Sequence, residues 1–146
     1  MTKKIVEVLL VEDDASDAEL TMSALAKIDV VCHVERVGDG AEALDYVFAQ
    51  GAYTGRSRTT TPDVVLLDLK LPKVDGLEVL RRIKSDPRTV NIPVIVLTCS
   101  AEDRDLAEAY RLGANSYVVK PVDFDQFSEA VQRLGLWLSV TRPPIE

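Results

Sequence analysis

Histidine is almost absent from this chain, with one residue, His33, among 146. A histidine-based catalytic triad or a metal centre built on imidazoles is therefore nearly ruled out. His33 lies in the β-like run VVCHVERV beside alternating apolar residues, and reads as a strand residue. Cysteine is scarce as well. Cys32 and Cys99 both sit in apolar, strand-like segments, which suits two reduced core or near-core thiols better than a disulfide or half a zinc site. Basic charge is the minority sign: 17 Lys and Arg stand against 24 Asp and Glu, a net charge of -7. Neutralising phosphates needs a basic surface, so no direct DNA binding is expected. Long apolar runs are missing too. The short one after Thr2-Lys3-Lys4 ends at Glu12 and Asp13, well short of the roughly 20 residues of a membrane span. Neither a signal peptide nor a membrane segment is read, and the setting is expected to be cytoplasmic.

What remains suits one soluble domain. The composition, 47% hydrophobic and 28% charged, is ordinary for a globular chain, and the length is enough to bury a core without staples. One domain is expected over 5–140, with short tails at 1–4 and 141–146 and no second, output domain. Apolar runs at Ile5–Val11, Val30–Val37, Val64–Asp68, Pro93–Thr98 and Ser116–Val119 read as five strands. Five amphipathic stretches alternate with them. The first runs to about Lys27 with Ala18, Met22, Leu25 and Ile28 near one face, and the second spans Ala41 to about Gln50. The third is marked by Leu77, Val79, Leu80 and Ile83, and the fourth spans Ala101–Leu112 before a Gly113 cap. The fifth follows an Asp123 cap to about Val140, with Phe124, Phe127, Ala130, Val131, Leu134 and Leu138 on its apolar face. The stretch 51–63 reads as an exposed loop, long for a helix-to-strand connection, either a functional element or a surface insertion. Alternation of this kind predicts an α/β fold: a doubly wound (βα)5, flavodoxin-like three-layer sandwich with a parallel sheet in the order 2-1-3-4-5.

In such sheets ligands bind at the carboxyl ends of the strands. Asp68 ends a strand of four apolar residues, although an Asp there also suits a helix cap. The order 2-1-3-4-5 sets Glu12-Asp13 beside it, and adds Thr98 and Lys120 at the ends of the fourth and fifth strands. Any one of these has an ordinary explanation as a turn acid, a strand threonine or a loop lysine. Their shared edge is what makes them a site. Three neighbouring carboxylates repel one another and raise at least one pKa, and a divalent cation relieves them. All-oxygen ligation favours Mg²⁺. A carboxylate nucleophile, a hard cation, an ammonium and a hydroxyl form a coherent set for phosphoryl transfer.

The motifs VLLVEDD, VVLLDLKLPKVDGLEVL, PVIVLT and GANSYVVKP, in that order, resemble the receiver domain of two-component response regulators, over about Ile5 to Leu138. The resemblance implies a signalling switch rather than an enzyme, with Asp68 as phospho-acceptor for a sensor histidine kinase. It implies that Mg²⁺ is held by Asp13 and Asp68, by the backbone carbonyl of Lys70, and by Glu12 through water. Thr98 is then the switch hydroxyl, Tyr117 its coupled aromatic and Lys120 the phosphate-binding lysine, with a cis peptide before Pro121. Glu12 departs from the more usual Asp. Lys70 occupies the position that tunes phosphate lifetime, where its cation could pair with Glu12 or a phosphate oxygen and act in either direction. The LDLKLPK run, the loop before the third strand and the C-terminal Leu136-Trp137-Leu138 look most like the small regulators paired with bacterial phytochrome kinases. That likeness implies a bacteriophytochrome partner and a homodimer through the fourth helix, fifth strand and fifth helix, with Trp137 as core plug or interface anchor. A non-phosphorylated pseudo-receiver acting as a scaffold is the alternative. An aspartyl phosphatase would need a second Asp where Lys70 stands, and a flavodoxin-type binder a phosphate loop where three acids stand.

Overall fold

Unbroken apolar runs become the central strands. The computed structural model describes residues 5–27, 32–55, 61–99 and 102–133. Strands β1 (Val6–Val11), β2 (Cys32–Val37), β3 (Val64–Asp68), β4 (Val94–Thr98) and β5 (Ser116–Val119) form one parallel sheet in the order β2-β1-β3-β4-β5. Every residue of β3 and β4 is buried, as a strand covered on both faces requires. The edge strand β2 is mostly half-exposed, and β5 alternates buried with half-buried.

Helices α1 (Ala15–Ala26), α2 (Gly40–Val47), α3 (Gly76–Lys84), α4 (Arg104–Arg111) and α5 (Phe124–Arg133) cover the two faces. Successive strand side chains point to opposite faces. Val65 and Leu67 accordingly join the core under α2, α3 and α4. Val64 and Leu66 join the one under α1 and α5. Leu10 belongs to that second face, so Glu12 and Asp68, each two residues further on, carry the same parity into the site.

Some details differ from the sequence reading, among them the shorter α2 and α4. On α1 the buried stripe is Ala18, Thr21, Ala24 and Leu25, while Met22 is 39% exposed. Thr21 lies three residues from both Ala18 and Ala24, so the stripe runs on that side of the helix and Met22 falls beyond its edge. Phe124 is 38% exposed because it starts α5 before the helix settles on the sheet, and burial begins at Phe127. Cys99 is exposed, not near-core, because β4 stops at Thr98; Cys32 is half-buried. The 51–63 loop is not structureless throughout: Gly51–Tyr53 forms a 3₁₀ turn. Tyr53 donates its hydroxyl to Glu42 Oε2 at 2.8 Å and meets Tyr46 edge-on at 5.1 Å. Ile28, the extension of α5 to Val140, Leu134, Leu138 and Trp137 lie outside the described residues.

Candidate functional site

Strand register builds the site. Val11 pairs with Leu67, so Glu12 follows directly alongside Asp68. Thr98 pairs with Val119, and the Lys120 amide donates to the Thr98 carbonyl at 2.7 Å. Strand ends that are neighbours in the sheet thus deliver Glu12, Asp68, Thr98 and Lys120 to one edge. Asp13 follows Glu12 into solvent. The peptide bond Lys120-Pro121 is cis.

Glu12, Asp13 and Asp68 can each place a carboxylate oxygen within 4.8 Å of the others. This is the carboxylate set expected to hold a divalent cation, with oxygen donors and no nitrogen or sulfur ligand among them. Between the two buried members lies the Lys120 ammonium, 2.9 Å from Glu12 Oε1 and 2.9 Å from Asp68 Oδ2. The other Asp68 oxygen, Oδ1, accepts the Lys70 amide at 3.0 Å, a local turn that fixes the carboxylate plane.

Charge balance is incomplete. Glu12 has no solvent exposure, and burial pushes its pKa up to about 7, with Asp68 adding to the rise and the Lys120 hydrogen bond opposing it. Burial acts against the Lys120 ammonium too, but the hydrogen bonds and charges of Asp68 and Glu12 outweigh it and raise its pKa above the usual lysine value. One ammonium is serving two buried carboxylates, and a cation set among the three acids would relieve the remainder.

The other predicted residues fall around this centre. Thr98 is buried, and its hydroxyl donates to Asp103 Oδ2 at 3.2 Å. Asp103 caps α4, accepting the Asp105 amide at 2.8 Å. Tyr117 is half-buried on the α4 side and meets Tyr110 edge-on at 6.3 Å. The Lys70 ammonium does not reach Glu12, whose Oε1 is taken by Lys120. It reaches across to Asp105 Oδ2 on α4, at 3.4 Å, and that carboxylate raises its pKa.

Sequence reasoning missed two contributors. Arg36, at the end of β2, donates its Nε to the Glu12 carbonyl at 3.1 Å. Asp17, read as the lead into a helix, sits 3.2 Å from Lys120 Nζ. No motif announces either residue. Only the even parity of β1 and the placement of α1 over that face point to Asp17.

Fold and site together define a doubly wound α/β protein with a carboxylate cluster and a half-buried ammonium at the carboxyl edge of the sheet. The chain belongs to the response regulator receiver domain family, whose model matches residues 8–132. Receiver domains are signalling modules of two-component systems and interact with histidine kinases. Among curated relatives, the probable methanogenesis regulatory protein FilR2 of Methanothrix harundinacea is 43% identical over 94% of this chain and 86% of its own. The bacteriophytochrome response regulator RtBRR superposes with a TM-score of 0.86 at 46% identity, covering 97% of this chain and 85% of that one. The Mn²⁺-bound form of response regulator Rcp1, a Synechocystis protein, gives a TM-score of 0.75 at 35% identity, covering 96% and 99%. No helix among the described residues is long and apolar enough to cross a membrane.

Proposed function

We propose that this protein is a cytoplasmic response regulator, one receiver unit over about residues 5–140, that takes a phosphoryl group on Asp68 from a sensor histidine kinase. The observation that carries the reading is the Lys120 ammonium held between the buried carboxylates of Glu12 and Asp68, at 2.9 Å from each. A carboxylate oxygen of Asp68 attacks phosphorus, an O–P bond forms, and the bond from phosphorus to the donor nitrogen breaks. The leaving imidazole retains the electron pair and is protonated. Lys120 neutralises a phosphoryl oxygen as charge develops. Asp13, Asp68, the Lys70 carbonyl and, through water, Glu12 would hold Mg²⁺, which supplies the second neutralising charge. Thr98 then leaves Asp103 and donates to the acyl phosphate, and Tyr117 follows it. The surface of α4, β5 and α5, including a homodimer contact, changes affinity in consequence.

Incubation with Mg²⁺ and acetyl phosphate should add the mass of one phosphoryl group to the intact protein, and none to Asp68→Asn. Full labelling of the Asn variant would remove Asp68 from its role. Likeness to RtBRR supports a bacteriophytochrome as the kinase. Transfer from the best donor kinase should then differ between red and far-red light. Equal transfer under both would set the phytochrome pairing aside while leaving the receiver reading intact.

A further inference from the structure

An ammonium group has three N–H bonds to donate. Those of Lys120 have three carboxylate acceptors: Glu12 Oε1 at 2.9 Å, Asp68 Oδ2 at 2.9 Å and Asp17 Oδ2 at 3.2 Å. The three are not equivalent. Glu12 and Asp68 are buried at the ends of adjacent strands, whereas the Asp17 side chain is 37% exposed on the first turn of α1. That turn is pinned from below, since the Asp17 amide donates to Asp14 Oδ1 at 2.9 Å. Asp17 is thus the rim member of the set, with the longest of the three contacts.

An ammonium whose donors are all engaged has to release one acceptor before it can bind a phosphoryl oxygen. Releasing Glu12 would leave a fully buried carboxylate without its cation, and releasing Asp68 would do the same to the attacking carboxylate before the phosphoryl group is bound, so both are costly. Releasing Asp17 costs little, because water replaces the lost donor at a partly exposed oxygen. Asp17 also adds a negative charge beside the path of an incoming phosphoryl dianion. We infer that Asp17 is a positioning residue acting through Lys120: its carboxylate occupies the third ammonium proton in the unphosphorylated protein, is exchanged for a phosphoryl oxygen on transfer, and so restrains the loading of Asp68. The inference rests on the receiver reading above and assigns a role to a side chain outside the acidic triad.

The test compares wild type, Asp17→Ala and Asp17→Glu, each with Mg²⁺ and a concentration series of acetyl phosphate, with Asp68→Asn as blank. Asp17→Ala should raise the second-order loading constant by about three- to fivefold, the size of one partly exposed ion pair. Asp17→Glu, which restores the charge, should bring it back towards wild type. Urea midpoints measured alongside separate this from a structural role, since an effect of loosening α1 would follow the midpoint rather than the charge at position 17. A loading constant that is unchanged or lower in Asp17→Ala, or a Glu variant that loads like the Ala variant, overturns the inference while the receiver reading stands. Wild type that takes no phosphate where the blank also takes none overturns the receiver reading, and this inference with it.

Discussion

Lys120→Met is expected to cost the folded protein about 3–5 kcal/mol at pH 8 and about half that at pH 5, measured by urea unfolding in the presence of EDTA. Methionine keeps much of the volume of the stem, so the loss is chiefly one of charge. Glu12 sets the pH dependence. Its pKa in the folded protein is about 7 against an ordinary 4.5, with burial the leading cause. A carboxyl whose pKa rises on folding holds its proton longer in the folded state than in the unfolded one. Stability therefore falls as pH climbs from 4.5 towards 7 and is level above. Lys120 has the same sign in a different window: its pKa is raised too, so its contribution is complete at every pH below the ordinary 10.5 and falls only as pH climbs beyond that. At pH 5 Glu12 is largely protonated with or without the lysine, and the variant chiefly loses the cation beside Asp68 and Asp17. At pH 8 it must also carry Glu12, buried and without its counterion. Removing the larger of the two hydrogen bonds that lower the Glu12 pKa, the other coming from the Asp14 amide, drives that pKa higher still, so the fall in stability reaches further up the pH scale. An equal loss at both pH values would show that Lys120 does not compensate Glu12.

The shared edge of Glu12, Asp68, Thr98 and Lys120 was legible because parallel strands put carboxyl termini on one side of the sheet, and the order 2-1-3-4-5 makes β1 and β3 neighbours. The apolar runs of β3 and β4 announced their own burial. Side-chain partners across elements were not legible. Lys70 was open to pairing with Glu12 or a phosphate oxygen, yet its ammonium is held by Asp105, a residue 35 positions away whose side chain is brought over by α4. Thr98 was read as the end of the fourth strand, where the structure has it, but its bond to Asp103 depends on how α4 begins, and that helix starts at Arg104 with Asp103 as its cap. Helix stripes failed where two faces compete: Thr21 displaced Met22 because packing selects the side of α1, not the hydrophobicity of single residues. Taken together, Asp103 and Asp105 receive both the Thr98 hydroxyl and the Lys70 ammonium. The first turn of α4 thus shares partners with the proposed phospho-acceptor site, and a phosphoryl group on Asp68 would compete for the same two donors.

Gly40→Ala and Gly76→Ala should each destabilise the protein by about 3 kcal/mol or more, while Gly38→Ala, two residues from Gly40, should shift stability by no more than about 0.5 kcal/mol. The difference lies in what a methyl group meets. At Gly40 a Cβ would stand 1.9 Å from the Val74 carbonyl oxygen, and at Gly76 it would stand 2.5 Å from Leu69 Cα and 2.6 Å from the Asp68 carbonyl oxygen. All three are backbone atoms, which cannot swing aside as a side chain can. At Gly38 nothing lies within 4 Å. The two crowded glycines are the first residues of α2 and α3, and they close on the β3–α3 loop from two sides. The Gly40 amide donates to the Pro72 carbonyl at 3.3 Å and the Gly76 amide to the Leu69 carbonyl at 3.2 Å. That loop carries Lys70, whose amide orients Asp68 and whose carbonyl is proposed as a metal ligand. The same displacement that costs stability should therefore weaken Mg²⁺ binding and slow loading of Asp68, even at temperatures where the variant remains folded. A Gly76→Ala protein that unfolds earlier in urea but binds Mg²⁺ like wild type would show that the loop adjusts without moving the site. Similar urea midpoints for the Gly38 and Gly40 variants would show that the loop is not clamped at all.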